Sequence, residues 1–251
     1  MKHLTALFFC LIFGISGFAQ SNAKETPSSL PMIWTNAGAA LAGGDLKESF
    51  GANAMIGISY MHKLKSNFII GLDVNAMFGD SVYDHPNLFK PVAESKDDFI
   101  TGDGTLANIR LWERGLRVSL KFGKLFPIIG PNVNSGLLLL GGIGFINHKV
   151  RIEVINNNVP SLDKEGKKLY DRYTDGLSLS QFVGYLHLSE SKRTNFYFGF
   201  EIVEGFTQNR RSYNMYSQGP DNTKRLDLMY GFRAGWILPL YGKKSQTYFF
   251  D

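Results

Sequence analysis

The chain has 251 residues, 44% of them hydrophobic and 14% aromatic, with 27 glycines and a formal net charge of +5. That length suits one domain of moderate size. After the N-terminus no apolar run approaches the roughly 18–20 residues of a membrane helix, which excludes a helical membrane protein. No Lys/Arg cluster is dense enough for a nucleic-acid partner, so the modest positive balance reads as a solvated surface.

Met1–Ala19 reads as an export signal. Lys2 and His3 precede the apolar run Leu4–Phe18, and Gly17-Phe18-Ala19 ends in a small-residue cleavage pattern before Gln20. Cys10, the only cysteine, follows Phe9 rather than a small residue, so it is not a lipoprotein cysteine and leaves with the signal. An exported chain without disulfides needs another source of stability, and a closed barrel in lipid provides one. The alternative is a soluble exported β-protein. Residues 20–31, polar and rich in Ser and Pro, are expected to form a short mobile leader. Residues 32–241 form the barrel and 242–251 a periplasmic tail.

The rest of the chain reads as eight strands. The first, Met32–Ala42, is built of small residues, and Gly43–Ser49 turns the chain. Phe50–Leu64 sets Ala52, Ala54, Ile56, Ile58 and Tyr60 against Asn53, Gly57 and Ser59. After the tight turn Lys65-Ser66-Asn67, Phe68–Phe78 alternates Phe68, Ile70, Leu72, Val74, Ala76 and Phe78 with Gly71, Asp73 and Asn75. The polar segment Gly79–Thr105 follows. In Trp112–Phe122, Leu116, Val118, Leu120 and Phe122 oppose Arg117, Ser119 and Lys121. Val133–Ile155 is the fifth strand; its Leu137–Leu140 run is apolar on both faces and does not declare an inside. After the polar segment Asn156–Gly176 comes Leu177–Ser189, read with Phe182, Gly184, Leu186 and Leu188 outward and Gln181, Tyr185 and His187 inward. Asn195–Gln208 points Phe196, Phe198, Phe200 and Ile202 outward, with Tyr197, Gly199 and Glu201 inward.

The last strand, Arg225–Tyr241, shows the pattern best. Every second residue from Leu226 to Leu240 is apolar, while Asp227, Gly231, Arg233 and Gly235 lie between them. A period of two gives a strand two different faces. Soluble strands run about five or six residues, whereas a tilted membrane-spanning strand needs roughly 9–11 plus its ends. Connections after even strands are short, and those after odd strands beyond the first are long. This is the rhythm of an outer-membrane barrel with short periplasmic turns and longer outer loops. The fold class is therefore all-β: an eight-stranded antiparallel up-and-down transmembrane barrel. Aromatics fall where the membrane interfaces would be, with Tyr60, Phe68, Phe122, Phe196, Trp236 and Tyr241 at one level and Phe78, Trp112, Phe206 and Tyr230 at the other.

The inward charges Asp73, Arg117, Lys121, Glu201, Asp227 and Arg233 should pair with one another, because an eight-stranded barrel is filled by its own side chains and an unpaired charge there is costly. Aligning Gln208 with Arg225 brings Glu201 near Arg233. The periplasmic ends carry a basic rim of Lys63, Lys65, Lys124, Lys192, Arg193, Lys243 and Lys244, beside His62. This rim is a solvated edge or a contact for lipid phosphates or an acidic partner. An enzyme would need a nucleophile, a base and an orienting group within reach. His148 and His187 lie toward opposite ends, and no Ser occupies a nucleophile-elbow pattern, so the chain is read as non-enzymatic. A lipid-modifying enzyme and a narrow channel or ligand-binding barrel are the alternatives. Asp97, Asp98 and Asp103 beside Gly102 and Gly104 do not have EF-hand spacing and read as a solvated acidic loop. No metal or other cofactor is expected.

Arg233, Gly235, Leu238 and Leu240 match the assembly-signal pattern of outer-membrane barrels: a polar residue, a glycine two positions on, then alternating apolar residues. With the export signal and the loop rhythm, the chain resembles the small outer-membrane barrels of Bacteroidota-type bacteria, although Gly242–Asp251 continues past the last strand. From His148 to Tyr241, the stretches DRYTDGLSLSQFVGY, NFYFGFEIVEGFTQNRR and GWILPLY are similar to accessory barrels of the type IX secretion and gliding machinery. The resemblance implies outer-membrane lipid, the barrel-assembly machinery and other secretion-complex proteins as partners.

Overall fold

The computed structural model describes residues 27–83, 88–89, 99–155, 159–189, 194–215 and 217–240. Eight strands form one closed antiparallel barrel in chain order: β1 Leu30–Gly44, β2 Ala52–Lys63, β3 Phe68–Gly79, β4 Asn108–Phe126, β5 Gly136–Ile155, β6 Thr174–Leu188, β7 Asn195–Asn209 and β8 Lys224–Pro239. β1 closes onto β8 with Met32 opposite Pro239 and Gly44 opposite Asp227. Closure leaves no strand edge among these eight to satisfy from solvent.

Alternation sets the two faces. On β8, Tyr230, Phe232, Trp236 and Leu238 are exposed, while Asp227, Met229, Arg233 and Ile237 are buried. The same holds for Ile56, Ile58 and Tyr60 on β2, Phe68, Ile70 and Leu72 on β3, and Leu116, Leu120 and Phe122 on β4. Ile143 and Phe145 on β5, Leu177 on β6 and Phe198 on β7 extend this apolar belt around the barrel. The aromatics mark more than the two levels expected, since Phe145, Phe198 and Phe232 populate the middle of the belt. Tyr241 lies outside the described residues.

The termini of the sheet share an end with the short turns. There Asn67, at φ 62°, supplies the left-handed step that returns β2 into β3, and its N–H closes the turn onto the Leu64 carbonyl at 2.9 Å. The opposite end carries the long connections. A 3-10 turn, Leu46–Glu48, follows β1 there, and 3-10 turns at Pro160–Leu162 and Gly166–Leu169 follow β5.

Four expectations change. β4 spans Asn108–Phe126 rather than Trp112–Phe122, because the long β5 offers partners from Ile155 opposite Asn108 to Leu137 opposite Phe126. β6 is turned over: Phe182, Leu186 and Leu188 are buried inside, and Val183, Tyr185 and His187 face outward. The reason is the glycine pair Gly184–Gly199, which leaves an interior gap. The Phe182 ring fills that gap so closely that a Cβ on either glycine would meet it at 2.6 Å. The β7–β8 register places Gln208 opposite Lys224, one residue from the expected Arg225, so Glu201 lies opposite Gly231. That shift is required by the pleat, since opposed residues must share a face. Finally, the described part of the leader is held rather than mobile: Ser28 bonds Asn134 at 3.1 Å, and β1 begins at Leu30. The export signal, residues 1–19, and the tail, 242–251, lie outside the described residues.

The interior is layered. At the turn end, Met32, Trp34, Met61, Ile69, Leu125, Leu138, Leu186 and Ile237 make an apolar plug. The Leu137–Leu140 ambiguity resolves here, with Leu138 and Leu140 inside this plug and Leu137 and Leu139 outward. At the loop end a second apolar core gathers Phe50, Met77, Phe89, Phe99, Ile109, Val150, Tyr170 and Met229. Polar groups occupy the height between.

The seam between β1 and β8 depends on Gly235, where a Cβ would stand 1.7 Å from the Thr35 carbonyl oxygen. Gly235→Val should therefore hinder closure and cost about 1–3 kcal/mol. Its folded, heat-modifiable form on semi-native gels should fall relative to wild type. Gly219→Ala, with no neighbouring atom nearer than 3.9 Å, should leave that form unchanged.

Candidate functional site

The mid-height of the barrel is a polar cluster whose charges come from four strands. Asp73 on β3, Arg117 and Lys121 on β4, Glu201 on β7 and Arg233 on β8 all point inward and are buried. Each sits at an inward position of its strand's period-two pattern, and closure brings them to one level. Glu201 is the hub. It accepts from Lys121 Nζ at 2.6 Å, from Arg117 at 2.9 Å and from Arg233 at 3.3 Å. Asp73 is held by the Arg233 guanidinium through both carboxylate oxygens. It also accepts from Ser59 at 2.6 Å, Asn75 at 2.7 Å and Asn36 at 3.1 Å. Lys121 donates further to Ser180 at 2.6 Å, and Arg233 Nε to the Tyr197 hydroxyl at 3.0 Å.

The expected Glu201–Arg233 pair is thus present as a diagonal contact despite the one-residue register difference. Sequence reasoning missed the neutral members Asn36, Ser59, Ser180 and Tyr197. Ser59 and Tyr197 were legible as inward, whereas Asn36 lies in the small-residue first strand and Ser180 on the strand read the other way round, and nothing in a single strand says which neighbour any of them meets across the lumen. Three cations against two carboxylates leave this cluster with one excess positive charge. With its side chains in mutual contact, it closes the lumen as a plug.

Asp227 stands apart from the cluster. It accepts from Thr207 and pairs with His148 Nε2 at 2.8 Å, nearer the loop end. His148 packs edge-on against Phe50, with ring centroids 5.6 Å apart. A shallow recess lined by Asp45, Ser49, Phe50, Arg172, Thr174 and Arg225 opens toward this pair. Glu113 on β4 is also fully buried, and its carboxylate has no hydrogen-bond partner among the described residues. His187 faces outward, packed on Phe196 at 5.1 Å, so the two strand histidines stay apart.

The basic rim is not one surface. Lys63 points inward and is buried, donating to the Ser28 carbonyl at 3.1 Å and to Asn134 Oδ1 at 2.9 Å. It ties the leader to the β4–β5 turn, and its inward parity in β2 is the reason. Lys65 is exposed in the β2–β3 turn. Lys124 faces outward, its ammonium 5.1 Å from the Phe68 ring centre and 5.5 Å from that of Phe126. Lys192, Arg193, Lys243 and Lys244 lie outside the described residues. Of the assembly-signal residues, Arg233 belongs to the interior cluster, Gly235 to the seam, and Leu238 and Leu240 are exposed on the outer wall.

Outside the strands, Asp103 accepts hydrogen bonds from Thr101 and Thr105, which hold its carboxyl below the ordinary value. In the β7–β8 loop, burial works to raise the Asp221 carboxyl, but hydrogen bonds from Thr223 and the nearby Arg225 outweigh it and lower it. The Arg211 guanidinium is held above its ordinary value, chiefly by its hydrogen bonds to Asp171. Asp97 and Asp98 lie outside the described residues, and among the described residues no group of three His, Cys, Asp or Glu side chains could hold a metal ion.

No protein-family model matches this chain, and no curated protein matches it by sequence. Solved structures do. The attachment invasion locus protein Ail of Yersinia pestis, crystallised with the heparin analogue sucrose octasulfate, is 8% identical, with 84% of this chain and 99% of that one covered at a TM-score of 0.44. Neisserial surface protein A is 11% identical over 83% of this chain and 96% of that one, with a TM-score of 0.41. The N-terminal barrel domain of Pseudomonas aeruginosa OprF is 9% identical over 84% and 99%, with a TM-score of 0.35. All three are small bacterial outer-membrane barrels of eight strands. At such identities the likeness concerns architecture alone.

If Glu201 is the hub, Glu201→Ala should leave Lys121 without a carboxylate and Arg117 with only its 3.7 Å contact to Asp73, and destabilise the barrel by about 3–5 kcal/mol in urea unfolding from lipid bilayers. Arg210→Ala, which breaks the partly exposed Arg210–Asp175 pair, should cost no more than about 1 kcal/mol in the same assay.

Proposed function

We propose that this protein is an integral outer-membrane barrel that works through its rims and loops as a structural or interaction component. One observation carries the reading: a belt of exposed Leu, Ile, Val and Phe encircles a barrel whose interior is filled. A soluble monomer rarely exposes a contiguous apolar patch beyond a few hundred Å². A closed barrel in hydrocarbon, in contrast, needs such a belt. The filled lumen speaks against a channel, since Arg117, Lys121, Tyr197 and Arg233 occupy its mid-height and apolar layers lie on both sides. With the wall committed to lipid, the loop end and the turn end remain for partners.

The finer proposal is that the partners belong to a protein secretion complex of the type IX kind, in a Bacteroidota-type envelope. The sequence resemblance of the His148–Tyr241 stretches supports it. Affinity purification from detergent-solubilised outer membrane should recover secretion-complex proteins, and deletion should block export of cargo. Recovery of the barrel alone, with export intact, sinks that finer proposal.

The membrane reading has its own test. Phe232 is 72% exposed. In water, Phe232→Arg should be neutral or favourable. In a bilayer it should cost about 2–4 kcal/mol near the midplane. Unfolding titrations from lipid vesicles decide between them, and an unchanged or raised stability counts against a membrane-facing wall.

A further inference from the structure

β4 and β5 are the longest strands, and toward the loop end they carry a basic patch on the outer wall rather than inside. Outward positions on β4 ascend through Leu116, Arg114, Trp112 and Arg110. Their partners across the ladder on β5 are Asn147, Lys149, Arg151 and Glu153. Arg110, Lys149 and Arg151 are exposed, and Arg114 is half-buried. Four cations therefore share a two-strand surface with one carboxylate. That carboxylate, Glu153, accepts from the Trp112 indole at 3.0 Å and lies 3.9 Å from Arg151. Among the described residues, no ion pair forms with Arg110, Arg114 or Lys149. On the neighbouring strands, Asp175 of β6 faces Asn147 and is taken by Arg210 at 2.6 Å, and Asp80 is exposed just past Gly79, the β3 residue opposite Glu113.

Two features make this more than a solvated edge. Arg114 and Lys149 are directly opposed, and like charges at directly opposed positions destabilise a sheet unless an anion lies between them. Arg114 is also positioned, its guanidinium 5.2 Å from the Phe78 ring centre and 5.3 Å from that of Trp112. A planar guanidinium fixed on aromatic rings offers its remaining N–H groups to a phosphate in a defined direction. The location names the source of that phosphate. The apolar belt reaches Leu116, Val118 and Phe145 on the same two strands. Two residues of strand rise, about 7 Å, separate successive outward rows, so the cations begin one row above Leu116. Basic residues directly above a lipid-facing wall meet headgroups, and aromatics beside them suit that depth.

We infer that the outer wall of β4–β5 binds the phosphate groups of an outer-leaflet lipid, with Arg114 and Lys149 as a clamp and Arg110 and Arg151 as flanking cations. This rests on the membrane reading above. The test uses the full chain purified in a neutral detergent, with native mass spectrometry as readout. The probes are lipid A carrying two phosphates and the same lipid after dephosphorylation. The bisphosphorylated lipid should be retained at least about tenfold better by wild type, and each cation replaced, as in Arg114→Gln or Lys149→Gln, should lower its retention roughly fivefold. Lys65→Gln, at the opposite end, should leave it unchanged. Millimolar inorganic phosphate should not displace the lipid; full displacement would assign the patch to free phosphate and overturn the proposal. Equal retention of the two lipids by wild type, a comparison that needs no variant to fold, would overturn it as well. Membrane fractionation of the same strain separates the two failures. Wild-type protein in the soluble fraction defeats the membrane reading, whereas protein in the outer-membrane fraction without lipid preference defeats the patch alone.

Discussion

Closure of β1 onto β8 is the constraint on which the rest depends. A wall that is apolar all round cannot leave backbone N–H and C=O groups unpaired, because hydrocarbon offers them nothing. The last strand must therefore find the first, and the details of the seam serve that end. The register runs from Met32 opposite Pro239 to Gly44 opposite Asp227. Gly235 brings the backbones close, and the Thr35 hydroxyl both donates to the Trp236 carbonyl and accepts from its N–H. Arg233, on the same strand, then reaches Asp73 and Glu201, so closing the sheet and completing the charged interior are one event.

The charged interior shows how a barrel lumen can hold five buried charges. Five charges would each be prohibitively expensive alone, but Glu201 serves three cations, and Asp73 is satisfied by Arg233, Ser59, Asn75 and Asn36 together. A network of this kind specifies one arrangement of strands, because slipping any strand by one residue would send its charge onto the apolar outer wall. Apolar layers lie above and below, and the network braces the barrel between them.

The outer surface divides by the same logic. Lys63, expected at a rim, is buried and binds the leader, whereas Lys124 lies on the aromatic wall. Arg110, Arg114, Lys149 and Arg151 form the densest cationic surface on the two longest strands. Charge on this barrel is placed by strand parity and height, and sequence proximity says little about which charges meet.

The sequence alone settled the strand number, the antiparallel up-and-down order, the facing of five strands (β2, β3, β4, β7 and β8) and the inward position of every charge in the central cluster. Those features follow from a period of two, which local chemistry expresses wherever the inside is polar and the outside apolar. It misplaced β6 because at the turn end both faces are apolar, and only the gap left by Gly184 and Gly199 draws Phe182 inward. It found Arg233 as one partner of Glu201 but not Arg117 or Lys121, and it found neither the burial of Lys63 nor the cationic patch of β4–β5. Each of these joins residues that are far apart in the chain, and only the closed register brings them together.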